Sequence, residues 1–533
     1  SFSRLTSQNG DVNLDTIDTE RNFNAVAVNG TINYNNIAAA NIGLTGGNVI
    51  GDGLIAEGTS VTISSTGNVS TGNISANDNI IVDAVTANLG VLTNTGPNFR
   101  IVTVRADSLS TGAIDSTGIV TLTAADGDLT TGIITTGIGS AAGSTNLTAT
   151  TGSITTGNID TGGILSSAGG NILVGNLVTD GGISNNIFVT AGGTIGFGSV
   201  SANGIARLRG TAIAGGDVTS TAAFTEVTGT EISVGSVSAR DNITIESTTG
   251  DVTTGALVSG LGTIVTAANN FDIASAQNGN NSNLRLTATA GSGTIGNVTS
   301  LGAITINTGT GLTTGTLNAG ASVTVTSGAT ANVANVISAT GTSITGTVVT
   351  VDAGTVSGGL TLNSTAGDLD ATNVTTLGGA IDLDAFGDIV FATLVSGSSF
   401  DVDAGGDIDF ASATSTASIN MTAVGGINGG DLTATNALNL NGGNISIGNA
   451  SASSINFTTA TNILFDSIAS PNAISLSALG GTIGKTLTGA GNIDGEAAIT
   501  LNAATTNVGT LDAVTSIAVT TSGAALVNNA ISG

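Results

Sequence analysis

The chain has 533 residues, of which 80 are glycine and two are proline, and it contains neither cysteine nor histidine. Its 36 acidic and nine basic residues give a net charge of −27, so we expect neither nucleic acid nor an anionic membrane surface as a partner. Hydrophobic residues make up 40% of the chain, which is enough for a long core and argues against general disorder.

The predicted elements are short β-strands from one end of the chain to the other. Residues 1–60 are the least regular part, and we interpret them as irregular N-terminal coils that act as a cap or docking segment. From 61 to 533 we predict a continuous parallel β-helix with a loop or bulge near 266–283. Strands such as VTLTA at 120–124 and VTVTS at 323–327 alternate aliphatic with hydroxyl side chains, which indicates one buried and one solvated face. Pro97 and Pro471 are the only two prolines that could break the pattern.

A step of about 20 residues recurs along the chain and favours a repeat fold. It is seen in two sets, Gly112, Gly132 and Gly152, and Ile114, Ile134 and Ile154, and again in the later Gly-Asp doublets at 367, 387 and 406. Gly137 and Gly157 repeat the same step. We therefore predict an all-β fold, a right-handed parallel β-helix (β-solenoid) with about 20 residues per coil.

Three details of the coil follow from this interpretation. The three isoleucines should occupy equivalent core positions in successive coils. Glycine should supply turn conformations that other residues resist. Asparagines that follow Thr-Gly or Gly, namely Asn68, Asn73, Asn158 and Asn171, should form amide ladders at the turns. With 3% aromatic residues, a core of small stacked aliphatics is expected.

The stretch 387–426, GDIVFATLVSGSSFDVDAGGDIDFASATSTASINMTAVGG, resembles the repeats of filamentous-haemagglutinin-like exoproteins, which are large bacterial surface and secreted proteins. The likeness lies in the Gly-Asp/Asn-aliphatic signature and the 20-residue step, and it covers about residues 60–520. It implies a right-handed β-helix shaft. The Asn-Pro-Asn motifs of that family's secretion domain do not occur in this sequence.

The sequence gives little sign of catalysis, and we expect no enzyme. Without His or Cys, a Ser-His-Asp triad, a Cys-His pair and a His-based zinc site are excluded. GSGTIG at 291–296 matches a dinucleotide fingerprint, but no helix pattern follows it. Two weaker alternatives are a polysaccharide-cleaving acid pair and an ice-binding threonine array.

Four acidic residues form the candidate site. Asp382 and Asp384 flank Leu383 in one predicted strand, and Asp401 and Asp403 flank Val402 nineteen residues later. Alternation places each pair outside, and one coil of separation stacks 382 on 401 and 384 on 403. Calcium, the one cofactor that the sequence suggests, would offset the repulsion within this acidic quartet. The alternative is a solvated acidic face whose charges are screened.

Two functions remain open. The first is a non-enzymatic extracellular structural rod that assembles head to tail with copies of itself into a filament, sheath or surface layer. The second is the shaft of a bacterial adhesin, for which cell-surface glycans would be partners. The strand-like stretch at 511–533, which carries no charge after Asp512, favours self-association through an open sheet edge.

We expect the protein outside the cell or on a bacterial cell surface. The sequence starts at Ser1 with no basic-then-apolar segment, so we expect a processed chain. No run of 18 apolar residues occurs, and we expect no membrane insertion.

Overall fold

The computed structural model describes residues 2–96, 100–137, 143–180, 185–487 and 489–533. The chain forms two compact units, Ser1–Ala268 and Asn269–Gly533. Each unit is a parallel β-solenoid, and together they have about 27 turns of about 19 residues. The described residues contain no helix. The predicted fold class is thereby confirmed.

In the first unit every turn places strands in three parallel stacks, here numbered in chain order within a turn. Two long strands near the N-terminus, Asn22–Ala39 and Ile42–Ala56, run through all three stacks, and Asn68–Ala76 and Val252–Ser259 run through stacks 2 and 3. The other strands of stack 1 are Phe2–Ser7, Val61–Ser65, Ile80–Asp83, Ile101–Ala106, Ile119–Ala124, Thr145–Ala149, Ile164–Ala168, Ile187–Ala191, Ala206–Arg209, Thr225–Gly229, Ile243–Ser247 and Thr263–Ala267. Those of stack 2 are Val12–Asn13, Thr86–Leu89, Ser108–Thr111, Leu129–Thr131, Ile154–Thr156, Ile172–Val174, Ile195–Phe197, Ala212–Gly215 and Glu231–Val234. Those of stack 3 are Thr16–Thr19, Leu92–Asn94, Ile114–Ser116, Ile134–Thr136, Ile159–Thr161, Leu177–Thr179, Val200–Ala202, Val218–Ser220 and Val237–Ala239.

In the second unit stacks 2 and 3 are mostly joined into one bent strand per turn. Stack 1 consists of Leu284–Ala288, Ile304–Thr308, Val323–Ser327, Thr342–Gly346, Leu360–Ser364, Ile381–Ala385, Phe400–Ala404, Ile419–Ala423, Ala437–Gly442, Ser454–Thr459 and Ser516–Thr521. The joined strands are Phe271–Asn278, Gly293–Ser300, Leu312–Ala319, Thr330–Ser338, Val348–Val356, Leu369–Thr376, Ile389–Ser396, Ile408–Ser415, Gly426–Ala434, Asn444–Ser451, Ile463–Ser470 and Ala525–Ser532. Asn492–Gly495 belongs to stack 3 alone. Ile474–Lys485 and Ala498–Ala513 take part in both groups.

The core is built from alternate residues of each strand. In Val323–Ser327 the first, third and fifth side chains are buried and the two threonines between them are exposed. Each buried aliphatic lies on its partner in the next turn, as Leu360 does on Ile381. Because β-branched side chains suit a pleated strand that is buried on one face, the Val-, Ile- and Thr-rich sequence adopts this form.

The expected equivalence of Ile114, Ile134 and Ile154 is wrong. Ile114 pairs with Ile134, but Ile134 pairs with Ile159, and Ile154 pairs with Leu129 in a different stack. Eight sequence positions separate the stack 3 strand that ends at Thr136 from the stack 1 strand that begins at Thr145, where the neighbouring turns have only two. The step is therefore 25 residues here. The expected glycine steps change with it, because the N–H of Gly157 donates to the Gly132 carbonyl and Gly152 lies against Gly127.

The predicted role of glycine in the turns is also corrected. Among the described glycines only Gly137 and Gly491 have a positive φ. Most others lack room for a Cβ because a neighbouring turn lies too close. On Gly387 a Cβ would come within 2.2 Å of Asp368 Oδ1, and on Gly405 within 2.0 Å of the Phe386 carbonyl oxygen. Glycine is needed here for close stacking of turns rather than for a special backbone conformation.

Aromatic side chains enter the core where the next turn provides space. Tyr34, Phe197, Phe271 and Phe410 are buried, and the residue paired with each in the following turn is glycine: Gly51, Gly215, Gly293 and Gly429. A Cβ on any of these four glycines would come within 2.2–2.5 Å of the ring. The expected core of small aliphatics therefore needs correction, since it also holds ring and glycine pairs.

Three segments singled out in the sequence have the following structure. Within the predicted segment 1–60, residues 2–60 form strands that pair in parallel, with a register shift between Ala27 and Thr31. The segment 266–283 holds the strand Phe271–Asn278 and a turn at Asn280, which has φ 47°. Pro471 lies at the corner after Ile463–Ser470, whereas Pro97 lies outside the described residues.

Candidate functional site

The outward side chains of stack 1 in the second unit form one continuous polar face. From Ile304 to Thr459 each turn contributes two such residues, and none of them is buried. In chain order they are Thr305 and Asn307, Thr324 and Thr326, Ser343 and Thr345, Thr361 and Asn363, Asp382 and Asp384, Asp401 and Asp403, Asn420 and Thr422, Asn439 and Asn441, and Asn456 and Thr458. We call this surface the polar face. The strand pairing keeps it in register from turn to turn.

The acidic quartet lies in the middle of the polar face. Asp382 pairs with Asp401 and Asp384 pairs with Asp403, as the 19-residue spacing predicts. Partial burial raises the pKa of Asp382 above its ordinary 3.8, and the carboxylates of Asp384 and Asp403 raise it further. Burial, followed by Asp403 and Asp382, likewise raises the pKa of Asp401. The quartet is thus a site of accumulated negative charge.

The quartet does not form a metal cage in this structure. Within the described ranges, no group of three or more acidic side chains is arranged so that it could hold a metal ion. The calcium site at Asp382, Asp384, Asp401 and Asp403 stays a prediction, as does the alternative of a solvated face.

Other aspartates have a structural role that the sequence interpretation missed. Asp368 Oδ1 accepts the backbone N–H of Asp388 at 2.9 Å, and Asp388 Oδ1 accepts that of Asp407 at 2.8 Å. Each of these aspartates precedes the first buried residue of a strand, and glycine precedes each of them. The Gly-Asp signature is therefore a ladder in which a side chain of one turn caps the backbone of the next.

Asparagine does the same at many other corners. Asn73, Asn158 and Asn171 accept the backbone N–H groups of Val91, Asn176 and Thr194 at 2.8–2.9 Å. The side-chain amides of these residues therefore bond mainly to backbone N–H groups of the next turn, and not to one another as the expected amide ladder required. Amide-to-amide bonds occur elsewhere, as from Asn439 Nδ2 to Asn420 Oδ1 at 2.8 Å.

A groove lies on the polar face next to the quartet. It has a volume of about 370 Å³ and is lined by residues of three successive turns, Asn420, Met421, Thr422, Asn439, Leu440, Asn441, Asn456 and Thr458. Met421 and Leu440 are buried core residues, so only their backbone reaches the surface. The side chains that line the groove are amides and hydroxyls without formal charge.

A cation and aromatic cluster lies on stack 1 of the first unit. Phe188, Arg207 and Glu226 pair in three successive turns. The Arg207 guanidinium lies 5.4 Å from the Phe188 ring centre and 5.7 Å from that of Phe224, and its Nε donates to Glu226 at 2.9 Å. Arg209 also donates to Glu226. The 19-residue step from 188 to 207 to 226 is the sequence signal that could have revealed it.

Electrostatics in this cluster fix the charge of Glu226. Burial raises the pKa of Glu226, but the hydrogen bonds and charges of Arg209 and Arg207 lower it by more, so that its pKa lies below the ordinary value. Both arginines donate hydrogen bonds to Glu226 inside the cluster. The main role of the cluster is therefore to connect neighbouring turns.

The dinucleotide-like sequence GSGTIG has no helix after it. Gly293 begins the strand Gly293–Ser300, so the glycines lie in a turn and a strand. A pyrophosphate-binding helix N-terminus is therefore not built by these residues.

Comparison with known proteins yields no relative. No protein-family model matches the chain, no curated protein matches it and no solved structure matches it. In the described part of the chain no helix is long and apolar enough to cross a membrane.

Proposed function

We propose that this chain is a non-enzymatic structural protein of the bacterial cell surface or extracellular space, a β-solenoid rod that joins head to tail into a filament, sheath or surface layer. One observation carries the proposal: turn after turn repeats the same buried inner row and polar outer row, joined by short corners. Such a scaffold is stabilised by contacts between neighbouring turns and can be extended by adding turns.

The terminal strands supply the joining surface. Phe2–Ser7 pairs on one side with Asn22–Ala27, and Ser516–Thr521 pairs on one side with Ala498–Ala503. Leu5 points to the core row of its stack, opposite the buried Ala25, yet it is 45% exposed. Open sheet edges of this kind pair with other strands. In a longer chain, additional turns would pair with these same edges. The filament is therefore proposed for the chain of 533 residues itself.

The test places charges on one edge. Ile517→Lys with Val519→Lys puts two lysines into the inward row of the last stack 1 strand, and Ala518→Lys with Thr520→Lys puts them on its outward row as a matched control. We expect filaments by negative-stain microscopy for the wild type and the control, and single rods for the inward variant. Wild-type protein that stays monomeric by light scattering at every concentration would contradict the filament.

The shaft of a haemagglutinin-like adhesin is the second candidate, and the groove on the polar face favours it, because a recognition surface needs groups free to bond a ligand. The resemblance of 387–426 to haemagglutinin-like repeats supports the same candidate. Under this proposal the protein mediates attachment and glycans at a cell surface are its partners.

A further inference from the structure

We propose that the groove formed by Asn420, Asn439, Asn441 and Asn456 with Thr422 and Thr458 binds a neutral, extended glycan, with one sugar unit per turn. The inference rests on the adhesin candidate and names its binding site. It starts from the lining of the groove, which supplies four amides and two hydroxyls from three consecutive turns.

The amides are only partly used within the protein. Asn439 Nδ2 donates to Asn420 Oδ1, which fixes the orientation of both groups. In the described part of the chain, no hydrogen bond is seen from the side chains of Thr422, Asn441, Asn456 or Thr458. An amide offers two donors and an acceptor, and a hydroxyl offers both, which is the pattern that sugar hydroxyls require.

Charge selects the class of glycan. The groove is neutral, but Asp401 and Asp403 lie in the turn before it, and the whole chain carries −27. A sulfated or carboxylated glycan would be repelled at this distance, whereas a neutral one is not.

Spacing selects its shape. Neighbouring strands in a parallel stack lie about 4.8 Å apart, close to the length of one sugar unit in an extended chain. The three turns are in register, since Asn420 pairs with Asn439 and Asn439 with Asn456. A fully extended β-1,4-linked chain can therefore place one unit on each turn, while a coiled α-1,4-linked chain cannot keep this match.

The groove is shallow, so one site should bind on the order of 1 mM. Saturation-transfer difference NMR suits this range, with cellohexaose as the extended probe and maltohexaose as the coiled one. We expect transfer to cellohexaose and at least fivefold less to maltohexaose. Equal binding of the two sugars would overturn the match of one unit per turn.

Variants locate the site. Asn439→Ala with Asn441→Ala should weaken binding of cellohexaose at least fivefold, and Asn456→Ala alone should weaken it as a milder second variant. Thr361→Ala with Asn363→Ala removes one hydroxyl and one amide from the same polar face outside the groove, and it should bind like the wild type. Unchanged binding by both groove variants would overturn the site.

The result of the glycan-binding test can be distinguished from the result of the filament test. The Ile517→Lys, Val519→Lys variant tests assembly and leaves the groove intact, so it should still bind cellohexaose. Filaments without glycan binding would overturn this inference alone, and glycan binding without filaments would overturn the filament alone.

Discussion

The pairing of Gly429 with Phe410 predicts a measurable loss of stability on adding one methyl group. The Cβ of Gly429→Ala would lie 2.4 Å from the Phe410 ring. The ring has little room to retreat, because it is buried and stacks on Phe391 with centroids 5.2 Å apart. Overpacking of this kind costs about 1–3 kcal/mol. The lower entropy of the unfolded alanine chain offsets about 0.4–1 kcal/mol, so we expect a net loss on the order of 1 kcal/mol.

A matched control separates crowding from the general effect of alanine. At Gly311 the nearest atom to an added Cβ is the Thr330 carbonyl oxygen at 3.8 Å, which is ordinary contact. Gly311→Ala should therefore be neutral or stabilising by up to about 1 kcal/mol. In a Phe410→Leu background the cost of Gly429→Ala should fall, since the smaller side chain leaves space above it.

The suitable assay is urea unfolding of the full chain, with the unfolding monitored by hydrogen exchange in peptides that span 408–434. A solenoid can open locally, so the local exchange reports the affected turns better than a global transition does. The argument fails if Gly429→Ala is as stable as the wild type, or if its cost is the same with Phe410 and with Leu at 410.

Three further predictions concern other parts of the chain. Tyr34→Phe removes a buried hydroxyl that donates to a threonine at 2.6 Å, so it should cost about 1–2 kcal/mol by urea unfolding. Because burial raises the pKa of Tyr34 from 10.0 to about 12, the stabilisation should be complete below pH 10 and be lost as the pH rises through 12. For the corrected register, Thr135→Cys with Asp160→Cys should form a disulfide under mild oxidation, and Thr135→Cys with Thr155→Cys should not; the reverse result on a non-reducing gel would restore the 20-residue step. In the acidic quartet the raised pKa of Asp401 means that its ionisation destabilises the fold above pH 3.8, so Asp401→Asn should raise the melting temperature at neutral pH and not below 3.8. Calcium should raise the melting temperature of the wild type but not of Asp401→Asn, and a wild type indifferent to calcium would leave the quartet a solvated face.

The sequence predicted the strand pairing within the acidic quartet correctly for a definite reason, while the calcium site there stays a prediction. In this part of the chain the turns are uniform, and the Gly-Asp doublets at 387 and 406 mark equivalent corners 19 residues apart. The stack 1 strands that precede the two doublets, Ile381–Ala385 and Phe400–Ala404, begin at equivalent positions, so the pairing of Asp382 with Asp401 follows directly. Where turns have constant length, the position of every outward side chain can be calculated from the sequence.

The same reasoning failed near residue 140 because the local repeat is ambiguous there. Thr-Gly recurs every five residues in TTGSITTGNIDTGG, so that steps of 20 and 25 residues align the same letters. Ile154 and Ile159 both fit as the partner of Ile134, and only the strand pairing in the structure decides for Ile159. When an insertion lengthens a turn by five residues and the sequence itself repeats every five residues, the periodicity of the sequence cannot reveal the insertion.

The sequence interpretation assigned glycine and aspartate roles within a single turn, whereas the structure shows that they act between two turns. Their spacing is visible in one turn, but their function involves two: Gly387 makes room for the Asp368 side chain, and Asp368 caps the backbone of Asp388. The ring and glycine pairs, such as Phe197 with Gly215, are also relations between turns. None of these can be inferred until the register is known, even though all of the residues are present in the sequence.

The division between inward and outward rows also indicates where function can change in this fold. Inward positions are constrained twice, by the residue above and the residue below, as Phe410 is by Phe391 and Gly429. Outward positions of the polar face are exposed or half-buried, and their chemistry varies along the face from hydroxyls to carboxylates to amides while the row beneath them stays buried. Substitutions on that face can therefore alter a binding surface at little cost to the fold, and a groove of amides beside a patch of carboxylates is the kind of local variation that this freedom permits.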